Sequence, residues 1–335
     1  MSKNNKVTIS SIAELLDVSA ITVSRALANQ PGVSDELRKK IIDTANELGY
    51  KRCRSRAKIS ILLLIRRRYV ADHSNFSQLV EGIEACVQDL EAELTLEFVD
   101  AEKQSELVLP YNLTRGKRYD GVIFLGRFTD EYAAQVRQVV PNIVIINGRS
   151  DSLKCSYVFY NYSRMGFNAA EYLIGKGHTR IGLVGMEDSY SRAVRCFGMQ
   201  RAFEKHGISF NKDYIINSKK DLGETIKALI DRDNLPTAFI CQSDRIALKL
   251  IKLLYEYEIS VPQDVSVIGS GNSDISGMTI PAITTFEVNI QTVCEAAVNT
   301  LFAHINNADK VCRTILIDNS LVERDSVSEL TDMEG

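Results

Sequence analysis

Arg25 stands one residue after Ser24 and three after Thr22, at the end of the run Ala20-Ile-Thr-Val-Ser-Arg25. On the outer side of a short helix, its guanidinium can present two parallel N–H donors to the O6 and N7 of a guanine. Ala20 and Ile21 can meet a thymine methyl. The hydroxyls of Ser10, Thr22 and Ser24 suit phosphate oxygens, and Ser19 and Asn29 flank the same helix as further candidate contacts. Little else in the chain forms a reactive constellation. There is no GxSxG, no GxxxxGK[ST], no HExxH and no GxGxxG at a strand end. The four histidines (73, 178, 206 and 304) are dispersed, and His178 reads as structural in a helix-to-strand turn. Seven cysteines stand singly with no CxxC pair, which suits a reducing compartment. The pattern argues against catalysis and supplies neither a metal nor a cofactor motif.

The elements that must hold Arg25 in place can be read from caps and periodicity. A first helix runs from about Ser10 to Leu16, with Ile12, Leu15 and Leu16 on one face, and Asp17-Val18 makes a tight turn. Ser19 is a good N-cap for a second helix over about Ala20 to Ala28, with Val23 and Leu27 turned inward. Pro31-Gly32 breaks the chain. Ser34 caps a third helix that carries Asp35 and Glu36 in its first turn and Leu37, Ile41, Ile42, Ala45 and Leu48 at helical spacing, with Gly49 at its end. Two short helices joined by a tight turn, with a third burying their apolar face, describe a helix-turn-helix. Its second helix is the natural reader of a major groove. A small helical subdomain with no DNA role has the same periodicity.

Charge separates this head from the rest. Residues 1–58 hold 11 Lys/Arg against 6 Asp/Glu, a net of +5; the remaining 277 hold 29 against 37, a net of −8. A basic head on an acidic body points to a polyanion for the head alone. At 335 residues the chain suits two or three domains. No stretch approaches the eighteen or so apolar residues of a membrane span, and Met1 to Lys6 is polar, with no apolar segment of a secretory signal.

From Ile59 onward, apolar strands alternate with amphipathic helices. Ile59–Ile65, Leu94–Val99, Gly121–Leu125 and Ile143–Asn147 read as strands of a first series, and Ile181–Val184, Tyr214–Ile216, Ala238–Cys241 and Ser266–Gly269 as strands of a second. Helices are expected over 163–176, 192–206, 222–231, 244–258 and 289–306, and a last strand over Thr314–Ile317. The rhythm predicts an α/β body of two doubly wound parallel sheets, with a ligand cleft between the carboxyl ends of their strands.

The order Val7-Thr-Ile-Ser-Ser-Ile-Ala-Glu-Leu-Leu-Asp-Val-Ser19, Thr22-Val-Ser-Arg25-Ala-Leu, Pro31-Gly-Val-Ser34 and Glu47-Leu-Gly-Tyr50 resembles the head of the lactose/galactose repressor (LacI/GalR) family, with no gaps over roughly fifty residues. The resemblance continues through Tyr119-Asp-Gly-Val-Ile123, Gly177-His178, Arg195-x-x-Gly198, Pro236-Thr-Ala-Phe239, Val261-Pro-x-Asp-Val-Ser-Val-Ile-Gly269 and Leu321-Val-x-Arg324. It implies an all-α helix-turn-helix head (1–50), a hinge (51–58) and a two-lobed periplasmic-binding-protein-like core (59–335). The first lobe is expected over about 59–157 and 287–312, the second over about 158–284 and 313–328. It further implies a cytoplasmic, nucleoid-associated homodimer, with no membrane attachment, on a palindromic operator. A small sugar-like effector would gate the repressor of carbohydrate-utilisation genes. The dimer surface is expected on the first lobe's first helices and nearby loops.

Several positions depart from the family pattern. The hinge Lys51-Arg-Cys-Arg-Ser-Arg-Ala-Lys58 is short and lacks the usual Pro-Asn pair and the leucine that wedges into the minor groove; five of its eight residues are basic. Arg52, Arg54 and Arg56 therefore suit phosphate contact, although a solvated linker explains them equally well. In the core, the resemblance assigns the effector to Asn75, Phe76, Asn147, Arg149, Arg195, Asp244 and Asn272. Ser243 stands where an asparagine is usual, Gly271-Asn272 where Asp-Asp is usual, and Asn147 where an aspartate is common. These replacements leave the effector open. They leave room for gating by a protein co-regulator, or for no effector at all. A transport-type sugar-binding protein shares the body fold but carries no DNA-reading head.

Overall fold

The computed structural model describes residues 9–27, 32–48, 58–67, 75–150, 152–185, 190–218, 222–307 and 311–330. The chain separates into two compact units, Met1–Lys58 and Ile59–Gly335.

The first unit holds α1 (Ile9–Leu16), α2 (Ala20–Leu27) and α3 (Asp35–Glu47). Asp17, in the left-handed region at φ 53°, closes the α1–α2 turn, and the Val18 N–H returns to the Ala13 carbonyl at 3.0 Å. Ser34 caps α3 by accepting from the Leu37 N–H, above Asp35 and Glu36 in the first turn. Ile12, Val23 and Ile41 are fully shielded, with Ala13, Ala26 and Ala45 between them. Arg38 of α3 donates to the carbonyls of Ala26 and Val33, fastening α3 to the end of α2. Leu15, expected on the inner face, is 64% exposed. The buried stripe of α1 runs through Ile12, Ala13 and Leu16, and the helical repeat carries Leu15 off its edge. Ile42 and Leu48 are likewise exposed. Gly49 lies outside the described residues.

The second unit opens with β1 (Ser60–Arg66), α4 (Phe76–Asp89), β2 (Glu93–Val99), α5 (Ala101–Ser105), α6 (Tyr111–Thr114), β3 (Gly121–Leu125), α7 (Asp130–Val139), β4 (Ile143–Ile146) and β5 (Ser156–Tyr160). It continues with α8 (Tyr162–Gly175), β6 (Ile181–Gly185), α9 (Tyr190–Lys205), β7 (Ile215–Asn217), α10 (Leu222–Asp231), β8 (Ala238–Cys241), α11 (Asp244–Glu256) and β9 (Ser266–Ile268). The last elements are α12 (Asp274–Met278), β10 (Thr285–Val288), α13 (Ile290–Ile305), β11 (Thr314–Ile317) and β12 (Asn319–Val322). Six strands form a parallel sheet in the order β11-β5-β4-β3-β1-β2, and four form a second in the order β7-β6-β8-β9. β10 and β12 pair antiparallel as a separate ribbon.

Burial follows strand position. The central strands β3, β4, β6 and β8 are buried at every residue, as parallel strands covered by helices on both faces must be. Along β1, Ile61, Leu63 and Ile65 pack toward a core shared with α4 and α13, while Leu62 and Leu64 pack toward Tyr132, Ala133 and Val136 of α7. The edge strands β2 and β11 leave residues open to solvent.

Two expectations are corrected. β5 is an additional strand, reached from β4 without an intervening helix, so the first lobe's strands run to Tyr160 rather than about 157. β11 pairs with β5 in the first lobe's sheet, whereas the expected boundaries gave 313–328 to the second lobe. The sheet gains its edge strand after the chain has already visited the other lobe.

Candidate functional site

In the head, Ser19 Oγ accepts from the Thr22 N–H at 3.1 Å and lies 2.8 Å from Thr22 Oγ1. This cap satisfies a first-turn donor of α2 and fixes where the helix starts. Ala20, Ile21 and Arg25 are exposed along α2, opposite the buried Val23 and Ala26. Thr22 is half-buried, its hydroxyl held against the cap. The backbones of Ser10 and Ser24 lie in α1 and α2. Asn29, Arg52, Arg54 and Arg56 lie outside the described residues.

In the core, the main polar constellation is built around Arg195 on α9. Helices α8 and α9 pack backbone against backbone. A Cβ at Gly166 would overlap the Arg195 carbonyl, and one at Gly198 would overlap the Ser163 carbonyl. Two glycines therefore draw Arg195 down onto Tyr162 and Met165. Its guanidinium lies 4.8 Å above the Tyr162 ring, points Nε and Nη2 at the Met165 sulfur at 3.3 Å and donates from Nη2 to Ser270 Oγ at 3.0 Å. Only 2% of the residue is exposed. Burial pushes its pKa down to about 10, against the opposing pull of Tyr162, Cys241 and Asp244. Nη1 is buried with no hydrogen-bond partner among the described residues. A surface position for this arginine is excluded.

Ser270 links this group to Asp244. The Asp244 N–H donates to the Ser270 carbonyl at 3.1 Å. The Asp244 carboxylate, fully buried at the start of α11, accepts from the Ser273 N–H and Oγ at 2.8 and 2.9 Å and from Thr285 Oγ1 at 2.5 Å. Asn272 stands in the same loop at φ 46°. Its Oδ1 takes a hydrogen bond from Arg324 Nη2 at 2.6 Å, and Arg324 Nη1 clamps Ser276 and the Ile283 carbonyl. Arg195, Asp244 and Asn272 thus belong to one network.

The remaining candidates stand apart from it. Asn147, at φ 50°, accepts from the Tyr160 N–H at 3.3 Å. Asn tolerates the left-handed region better than most residues, so backbone conformation favours it at both 147 and 272. Arg149 lies 5.6 Å from the ring of Tyr190, which also meets Phe159 of β5 at 5.2 Å. These contacts join the first lobe to the start of α9. Asn75 is buried at the N-cap of α4 without a side-chain capping bond, and Phe76 packs 6.3 Å from Phe98. Sequence reasoning missed Tyr162, Met165, Tyr190, Ser270 and Thr285. An aromatic in the first turn of the helix after β5 was the available sign for Tyr162, but β5 itself was not read. His178 contacts Thr237 Oγ1 at 3.1 Å and the Ser328 carbonyl at 3.2 Å; burial lowers its pKa. Among the described residues no cluster of His, Cys, Asp and Glu could hold a metal, and no helix is long and apolar enough to cross a membrane.

A helical head ahead of two parallel-sheet lobes defines a two-part molecule. Residues 8–52 match the bacterial regulatory proteins of the lacI family, and residues 170–327 match the periplasmic binding protein-like domain. The chain thus carries a lacI-family DNA-binding head and a periplasmic binding protein-like domain, and it is similar along its length to LacI-family transcriptional regulators. It is 28% identical over 326 residues to catabolite control protein A of Priestia megaterium, covering 95% of this chain and 96% of that protein. It is 26% identical over 338 residues to the probable HTH-type transcriptional repressor ExuR of Bacillus subtilis, covering 97% and 99%. Its fold is similar to that of a transcriptional regulator CelR–cellobiose complex, with a TM-score of 0.70 at 21% identity, covering 96% of this chain and 99% of that one. It is also similar to the lac repressor dimer bound to operator and an anti-inducer, with a TM-score of 0.68 at 22% identity, covering 97% and 100%.

Proposed function

We propose that this chain is a homodimeric repressor that binds a palindromic operator through α2 and is gated by a small sugar-like effector in the core. The observation that carries the DNA role is the pairing of exposed Ala20, Ile21 and Arg25 with a buried Val23–Ala26 face on one capped helix. Arg25 reads a guanine edge, Ala20 and Ile21 meet thymine methyls, and Ser10, Ser19, Thr22, Ser24 and Asn29 serve the backbone around them. Arg52, Arg54 and Arg56 add phosphate contacts from the hinge at 51–58. The effector lies against Arg195, with Asn75, Phe76, Asn147, Arg149, Asp244 and Asn272 shaping its surroundings. A neighbour of the same fold is a complex with cellobiose, which supports ligand binding by this architecture. The protein works in the cytoplasm at the nucleoid, on genes of carbohydrate use.

The second copy docks on the first lobe's first helices and nearby loops and also on an apolar face of the second lobe. Leu248, Ile251 and Tyr255 of α11, with Ile275, Met278 and Ile280, line a groove of 960 Å³. Met278 is 81% and Ile280 96% exposed. Contiguous apolar surface of this kind marks an association face, and a two-fold dimer buries such a patch against itself. Sedimentation of Met278→Asp with Ile280→Asp tests this: the double variant should run as a monomer at concentrations where the unaltered protein is dimeric. Selection from random duplex pools at controlled salt tests the DNA role: recovery of a palindrome supports it, and recovery of no sequence opposes it.

A further inference from the structure

We propose that the effector is an anionic sugar derivative, bearing a carboxylate or a phosphate ester, whose charged oxygens pair with Arg195. This deepens the effector-gated reading above and rests on it. A buried guanidinium keeps its charge at neutral pH, so it needs an anion or a full set of acceptors. Arg195 has neither. Its Nε and Nη2 face a thioether sulfur and one hydroxyl, both weak or neutral acceptors, and Nη1 has none. Among the described residues no carboxylate lies within ion-pair distance of it.

The Asp244 carboxylate makes no direct hydrogen bond to Arg195, to which Asp244 is linked only through Ser270. Its oxygens are already engaged by Ser273 and Thr285, so it cannot turn to the guanidinium without abandoning those donors. The loop facing Arg195 runs Ser270-Gly271-Asn272 and carries no acid, and Asn272 is held by Arg324. The unmet charge therefore asks for a ligand that brings its own anion. A neutral sugar would leave the guanidinium without a counter-charge. Charge-assisted pairing with a carboxylate or phosphate supplies both the missing acceptor and the missing charge.

The route in is the seam between the lobes. Tyr190, at the start of α9, lies beside Phe159 and Arg149 of the first lobe, and the Tyr162 ring lies under Arg195.

Thermal unfolding of the full-length protein tests this without knowing the sugar. Tm is measured in rising inorganic phosphate or acetate against chloride at equal ionic strength, for the unaltered protein, Arg195→Met and Arg195→Lys. The unaltered protein should show a saturable rise of about 2–4 °C. The methionine variant should lose that rise, and the lysine variant, which keeps the charge, should retain part of it. A larger response to phosphate than to acetate identifies a phosphate ester, and the reverse a sugar acid. An equal rise in unaltered protein and Arg195→Met overturns the proposal, as does no rise at all; if Arg195→Met does not fold, the preference of the unaltered protein for anionic over neutral sugars in calorimetry decides. A calorimetric panel of glucose, glucuronate and glucose 6-phosphate, with the galactose counterparts, separates this proposal from the reading beneath it. Binding of a neutral sugar with no preference for its acids or phosphates refutes the anionic effector and keeps effector gating.

Discussion

The two functional regions solve opposite problems. In the head, the residues proposed to meet DNA are exposed and the scaffold beneath them is small: three fully shielded residues and three alanines hold α2 in place. In the core, the central residue is buried, and two glycines, a tyrosine ring, a thioether and a serine hold it in one position. Reading a polyanion needs exposed donors that keep their water until contact, and the duplex supplies charge along its whole length. Selecting one small molecule needs donors already stripped of water, whose cost is offset only when the right partner arrives. Damage to the head scaffold should therefore abolish reading, whereas damage to the core group should leave reading intact and change its control.

The largest expected effect lies in the head scaffold. Ile41→Ala removes a fully shielded side chain from a very small core and should cost about 2–5 kcal/mol. The head should melt while the core unfolds at its usual temperature, because the two are separate compact units. Calorimetry would resolve the two transitions, and a common shift of both would break the contrast. Next, Arg25→Ala should weaken operator binding by roughly 1–3 kcal/mol and relax specificity at one base pair. Its exposed position predicts no change in head melting. Ser19→Ala should destabilise the head by about 1 kcal/mol through loss of the α2 cap, visible as a lower head transition. Alanine at Arg52, Arg54 and Arg56 together should flatten the salt dependence of binding, reducing the log–log slope by about one for each phosphate no longer neutralised. Altered base preference at an unchanged slope would contradict the phosphate role.

The smallest effect concerns pH in the core. Burial depresses the His178 pKa in the folded chain, so the unfolded state binds the proton more readily. His178 therefore contributes stability that is fully present above the unfolded histidine pKa, about 6.5, and is lost as pH falls toward the lower folded value. Between pH 7.5 and 5.5 the core Tm should fall less in His178→Gln than in the unaltered protein. Parallel falls would place the sensitivity elsewhere.

The head was legible because its signals are local. Ser19 and Ser34 announce helix starts through bonds to residues three positions on, and the sequence contains both partners. The buried strands were legible for a similar reason: complete coverage leaves an unbroken apolar run, as in Gly121–Leu125. β5 escaped because it follows β4 directly, where the alternating rhythm calls for a helix. β11 was read as a strand but given to the wrong lobe. Its placement is fixed by pairing with residues some 157 positions earlier, Tyr157 through Tyr160, and no local pattern in Thr314–Ile317 encodes that partner. On α11, Leu250 and Leu254 face the core while Leu248 and Tyr255 face the groove. A helix apolar on two sides cannot be divided into core and surface by periodicity. At the core site, Arg195 was found by resemblance. Its missing partner was not, because an unmet hydrogen bond is a property of packing.

The account rests most directly on α2 as the reader. Full-length protein and Arg25→Ala should be carried in parallel through selection from random duplex pools at one salt concentration. The account predicts that the unaltered protein recovers a palindrome and that Arg25→Ala recovers a sequence degenerate at one symmetric pair of positions. Recovery of the same palindrome with the same affinity by both would contradict it.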